Sequence, residues 1–153
     1  GGLSNLKTIG IGFLNGCTNL TSIDLSHLSQ LTTIGHGFMV GCTSLVTIDL
    51  SNLSKLATIN SNFMHGCTKL TTIKFNGLSQ LTTIGMRFMY NCESLAIIDL
   101  SGLSQLTSIG KHFMYNCKSL QTVILSGLPQ DKQQFIQQRL PINYSDIQYK
   151  IQL

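Results

Sequence analysis

The stretch Thr33–Ser51, TIGHGFMVGCTSLVTIDLS, decides the fold, because a close cousin, SIGKHFMYNCKSLQTVILS, returns at Ser108–Ser126. The cysteines set the interval: Cys17, Cys42, Cys67, Cys92 and Cys117 follow one another at steps of 25 residues. Phe13, Phe38, Phe63, Phe88 and Phe113 keep the same step, as do Leu20, Leu45, Leu70, Leu95 and Leu120, and Ile9, Ile34, Ile59, Ile84 and Ile109. A unit repeated at a fixed period in the twenties is the mark of a solenoid. One unit cannot bury its own apolar face, so it stacks on its neighbours.

In the unit from Gly2 to Ser26, Leu3, Leu6 and Ile9 come first, then Phe13 and Cys17 four apart, then Leu20, Ile23 and Leu25. Phe and Cys at i and i+4 predict one face of a helical turn. Ile23 and Leu25 alternate with Ser22, Asp24 and Ser26 as a strand does. Each unit therefore reads as short strand, helical turn, strand. Gly10, Gly35, Gly85 and Gly110 are read as supplying backbone freedom at the bend, with Asn60 as the best substitute for Gly there.

The string Leu-x-x-Ile-Gly-x-x-Phe-x-x-x-Cys-x-x-Leu-x-x-Ile-x-Leu resembles the BspA-type class of leucine-rich repeats, over roughly residues 2 to 128. The position before Phe holds Gly12, Gly37, Asn62, Arg87 or His112, where that class usually has Ala. The resemblance implies an α/β repeat solenoid, a right-handed superhelix of five repeats with short strands and helical turns. After Leu128 the period stops. In LPQDKQQFIQQRLP, Pro129 and Asp131 suit a first helical turn, Phe135, Ile136 and Leu140 share an apolar side, and Arg139 precedes Pro141. Ile147, Tyr149, Ile151 and Leu153 then alternate with polar residues. A helix and strand over 129–153 are similar to the ends of BspA-type proteins and are expected to cap the core.

Composition narrows the function. The chain is 42% hydrophobic but only 10% charged, and its net charge of +4 comes from scattered Lys and Arg rather than the clustered face of a nucleic-acid binder. No run of about 18 apolar residues occurs, so no membrane span is expected. The opening Gly1-Gly2 leads straight into the repeat, which reads as a fragment of a longer protein. Asn19, Asn52 and Asn143 begin glycosylation sequons, triplets that also arise by chance in Ser/Thr-rich chains.

No constellation for catalysis is legible. His27, His36, His65 and His112 fall at four different places in the unit, and Ser26, Ser51, Ser101 and Ser126 recur as turn residues. The cysteines lack zinc spacing and read as a reduced internal ladder. Neither cofactor nor metal is expected.

Two surfaces are candidates for binding. Around Phe the copies differ most, and the position two after it runs Asn15, Val40, His65, Tyr90, Tyr115. That makes Tyr90 and Tyr115 neighbours, with Met86, Arg87, Lys111 and His112 close by, a mixture enriched in binding hot spots; the alternative is a solvated convex surface that has drifted. The rival is the exposed strand column Asp24, Asp49, Lys74 and Asp99, an acidic stripe or a run of compensating charges. Both point to a non-catalytic module that binds a protein. The resemblance further implies a microbial surface or secreted protein that attaches to host or matrix proteins. A secreted effector that binds a host intracellular protein and an architectural spacer are the alternatives.

Overall fold

The computed structural model describes residues 2–141 and 148–150. Gly1, the sequon at Asn143 and the alternating Ile147, Ile151 and Leu153 lie outside the described residues. A single 3₁₀ turn, Gly2–Asn5, precedes the first strand. Strands β1 (Thr8–Ile9), β2 (Thr33–Ile34), β4 (Thr58–Ile59), β6 (Thr83–Ile84) and β8 (Ser108–Ile109) form one parallel five-stranded sheet in that order. Its register pairs Thr with Thr or Ser and Ile with Ile, each one unit from the next. Every isoleucine in it is buried.

The other strand of each unit builds a second wall. Strands β3 (Thr47–Asp49) and β5 (Thr72–Lys74) pair with each other, and β7 (Ile97–Asp99) pairs with β9 (Thr122–Ile124). Each puts its middle residue, Ile48, Ile73, Ile98 or Val123, into the core. The wall divides between β5 and β7. At that seam Phe75 stands where Leu25, Leu50, Leu100 and Leu125 stand in the other units, and its ring tilts against Phe88 at 5.7 Å. Helix α1 (Gln130–Gln137) follows, burying Ile136, and β10 (Gln148–Lys150) adds to β9 in parallel register. Gln133 is also buried, its amide donating to the Leu128 carbonyl at 2.8 Å.

The turns between the walls correct the expectation of helical turns. Positions 37, 39 and 41 have φ of 71°, 54° and 70°, and the same alternation recurs in each unit, as at Arg87, Met89 and Asn91. A right-handed helix needs negative φ throughout, so the turn is a ribbon of alternating hand, and the solenoid is built mostly of strands, with α1 as the one α-helix among the described residues. Phe and Cys still share the interior, but so does the residue after Phe: Met39, Met64, Met89 and Met114 are wholly buried. A left-handed conformation costs a non-Gly residue roughly 1–2 kcal/mol. Burial of the methionine side chain offsets it, as does the bond from each of these N–H groups to the preceding unit's Phe carbonyl, for example Met39 to Phe13 at 2.8 Å.

The bend glycines are also explained differently from the expectation. Gly35, Gly85 and Gly110 do not adopt positive φ; a Cβ at Gly85 would lie 2.5 Å from the Ser61 backbone nitrogen. They are small because the preceding unit's backbone lies against them. Asn60 keeps a side chain at this position and donates its amide to the Ile34 carbonyl at 3.0 Å.

The core is a set of columns. Rings from Phe13 to Phe113 stack in series, with centroids 5.7, 5.3, 5.2 and 5.3 Å apart. Beside them Cys42, Cys67, Cys92 and Cys117 are buried thiols outside any disulfide, and Cys17 is a half-buried one. Each buried thiol donates to a carbonyl 28 residues earlier, from Leu14, Met39, Met64 or Met89, at 3.2–3.3 Å. Burial pushes the Cys67 thiol up to about 12 and Cys92 well above the ordinary thiol value.

Candidate functional site

The variable turn positions converge on one side of the stack, because the alternating ribbon turns Phe, Met and Cys inward and leaves the residue two after Phe at the surface. Tyr90 and Tyr115, equivalent residues of successive units, stack with centroids 5.3 Å apart and planes 21° from parallel. His112 stands edge-on to both, at 6.2 Å from Tyr90 and 5.7 Å from Tyr115. With Arg87 they line an open recess of about 380 Å³.

The fifth lining residue is His65, its ring 4.9 Å from Tyr90. Sequence reasoning placed His65 in the right column but left it out of the site. The signal was available, since His65 lies one period before Tyr90. Burial, and then the Arg87 charge, hold its imidazole below the ordinary histidine value, so it is neutral at pH 7. Met86 and Lys111 are exposed beside the recess without lining it; their backbone carbonyls accept from Asn62 and Arg87 at 2.8 Å.

The rival column is drawn together less. Asp49 and Lys74 are register partners with an ion pair of 3.8 Å, both half-exposed, and such pairs contribute about 0–1 kcal/mol. Asp24 precedes the first strand of that wall, and Asp99 lies across the seam from Lys74. Each of the three aspartates is engaged locally: the backbone N–H groups of Ser26, Ser51 and Ser101 donate to them at 2.9 Å. The Ser51 and Ser101 hydroxyls add bonds of 2.5 and 2.6 Å. Serine hydrogen bonds hold the Asp24 and Asp49 carboxyls below the ordinary carboxylate value. These bonds are turn chemistry, as the recurring serines suggested.

No group of three or more His, Cys, Asp or Glu that could hold a metal is present among the described residues, and no described helix is long and apolar enough to cross a membrane.

Stacked parallel strands, one unit per turn with leucine, isoleucine and phenylalanine inside, define a leucine-rich-repeat solenoid. The chain belongs to the BspA type leucine rich repeat region family, which matches residues 3–121 in six copies. The crystal structure of the Treponema pallidum leucine rich repeat protein is similar over 78% of this chain and 52% of that one, with a TM-score of 0.69 and 28% identity. A leucine-rich repeat protein from Bacteroides ovatus aligns over 98% of this chain and 46% of its own, at 21% identity and a TM-score of 0.45. The chain thus spans about half the length of either structure. No match is found among curated proteins.

Proposed function

We propose that the chain is a non-catalytic protein-binding module whose partner docks on the turn face at the Tyr90–Tyr115 stack. The observation that carries this reading is the aromatic wall of His65, Tyr90, His112 and Tyr115 with Arg87 in its recess. Tyr and Arg are enriched among the residues that dominate binding energy: Tyr buries much area at low cost in side-chain entropy, and Arg adds a charged, planar hydrogen-bonding fork. Leucine-rich-repeat domains generally mediate protein interactions, and BspA-type members are typically bacterial surface or secreted proteins. Both support attachment to a host or matrix protein as the role. The solenoid spans residues 2–128 with crossovers of the usual right hand, and residues 129–153 close its end.

The test is binding to a panel of immobilised matrix and host-surface proteins, with two double variants. Tyr90→Val with Tyr115→Val copies Val40 of an earlier unit and should weaken binding about tenfold or more with the melting temperature little changed. If Asp24→Ala with Asp49→Ala abolishes binding instead, the partner uses the other face. If no protein on the panel binds saturably, the chain is a spacer.

A further inference from the structure

We propose that the recess between His65, Arg87, Tyr90, His112 and Tyr115 receives a carboxylate side chain from an acidic segment of the protein partner. The inference rests on the turn face being the docking surface and adds the chemistry recognised there. Three observations lead to it.

The first is charge. The recess is lined by a guanidinium, two imidazoles and two phenols, with Lys111 exposed beside it. The described acidic residues, Asp24, Asp49, Glu93, Asp99 and Asp131, all lie outside this lining. The two ion pairs among the described residues are Lys74–Asp49 and Lys118–Glu93, so Arg87 carries its charge without a carboxylate partner among them. Arg87 is itself exposed, so that charge is open to a partner.

The second is the backbone. Turns of alternating hand commonly gather their N–H groups into a nest that holds phosphate or sulfate. In the units of Asn62 and Arg87 those groups are already engaged: Asn62, Gly66, Arg87 and Asn91 donate to the carbonyls of Met86, Tyr90, Lys111 and Tyr115 in the next unit, at 2.8–3.0 Å. Tyr90 and Tyr115 donate back to Arg87 and His112 at 3.3 Å. Anion recognition at the Arg87 turn therefore falls to its side chain. A single guanidinium matches a planar carboxylate with two parallel hydrogen bonds.

The third is position. Arg87 is at φ 55°, a conformation that commits its backbone and fixes where the side chain leaves the turn. The equivalent residue two units earlier is Gly37 and one unit earlier Asn62. The cation is thus confined to the units that also carry the tyrosines.

The experiment titrates the whole chain, followed by NMR chemical shifts, with a Gly-Ser peptide bearing adjacent glutamates, its glutamine counterpart, and inorganic phosphate. The glutamate peptide should move the Arg87 guanidinium and the four ring systems saturably, more weakly as salt is added. The glutamine peptide and phosphate should each bind at least about tenfold more weakly. Arg87→Asn copies Asn62, which holds the same left-handed conformation at φ 61°, so it should fold normally and still lose about tenfold in glutamate-peptide affinity. Equal binding of the glutamine peptide, equal competition by phosphate, or an Arg87→Asn variant that binds as wild type overturns the assignment. A protein partner lost with the tyrosines but indifferent to Arg87→Asn and to salt would leave the docking face standing and remove the carboxylate.

Discussion

Replacing Phe63 with Ala, compared with the same change at Phe13, measures what an interior place in the ring column adds in stacking and burial together. The two residues occupy the same place in the unit. Phe63 is wholly buried between Phe38 at 5.3 Å and Phe88 at 5.2 Å, whereas Phe13 is 38% exposed and stacks on Phe38 alone at 5.7 Å. A fully buried Phe→Ala change costs about 3–5 kcal/mol, and each ring pair accounts for about 0.5–1.5 kcal/mol. Phe13→Ala loses one pair and only part of the burial, which leaves about 1.5–2.5 kcal/mol. The difference of about 2 kcal/mol moves a urea midpoint by roughly 1 M at a typical slope. Equilibrium urea unfolding of both variants beside the wild type, followed by circular dichroism at matched slopes, measures it. Costs equal within about 0.5 kcal/mol would show that the rings do not act through their neighbours, and the nearest-neighbour account of the stack would fail.

Gly85→Ala should destabilise far more than Gly66→Ala, although only Gly66 has positive φ (78°): at Gly85 the new carbon meets backbone at 2.5 Å, at Gly66 ordinary contact at 3.8 Å. Thermal melts of the two variants decide it. In thiol titration Cys17 should react first and the four buried cysteines only after unfolding; fast labelling of all five would refute the buried ladder. Because the Cys67 thiol is held neutral in the fold, its stabilisation is complete below the ordinary value of 9.0 and is lost as the unfolded chain ionises above it. That loss is about 1.4 kcal/mol at pH 10, seen as the extra destabilisation of wild type over Cys67→Ala. His65 acts at the other end of the scale. Its lowered value means that only the unfolded chain gains the proton just below pH 6.5, so stability falls with acidification there, and less so in His65→Asn. Deleting residues 129–153 should expose Leu120, Val123 and Leu125 and lower the melting temperature or cause aggregation; an unchanged monomeric melt would make the segment a linker.

The period of Phe, Cys, Leu and Ile made the stack legible, because a repeated apolar column has no other way to be buried. The turn geometry was not. Phe and Cys at i and i+4 look the same whether a helix or an alternating ribbon carries them. The distinguishing mark, Met after Phe in four units, reads as one more apolar residue until its φ is known. Tyr90, Tyr115, Arg87 and His112 stand out where otherwise similar units differ, and the fold brings them together. His65 was missed because its ring belongs to a unit that lacks a tyrosine, and only three-dimensional stacking joins it to Tyr90. Of the aspartate stripe, the column was visible, but the seam that parts Lys74 from Asp99 was not, since Phe75, which stands there, reads as one more apolar residue of its column.

That seam divides the molecule unequally. One wall runs unbroken through five strands, while on the other no backbone hydrogen bond among the described residues joins 72–75 to 97–100. Strain applied along the stack would be carried by the continuous wall and released on the parted one, so the solenoid should bend there as a book opens from its spine. Amide protons facing the gap should exchange with solvent sooner than those in the paired strands of the same wall. The third and fourth units would then swing relative to each other about the continuous wall. The rings of His65 and Tyr90, which lie on either side of that division, would open or close with the swing.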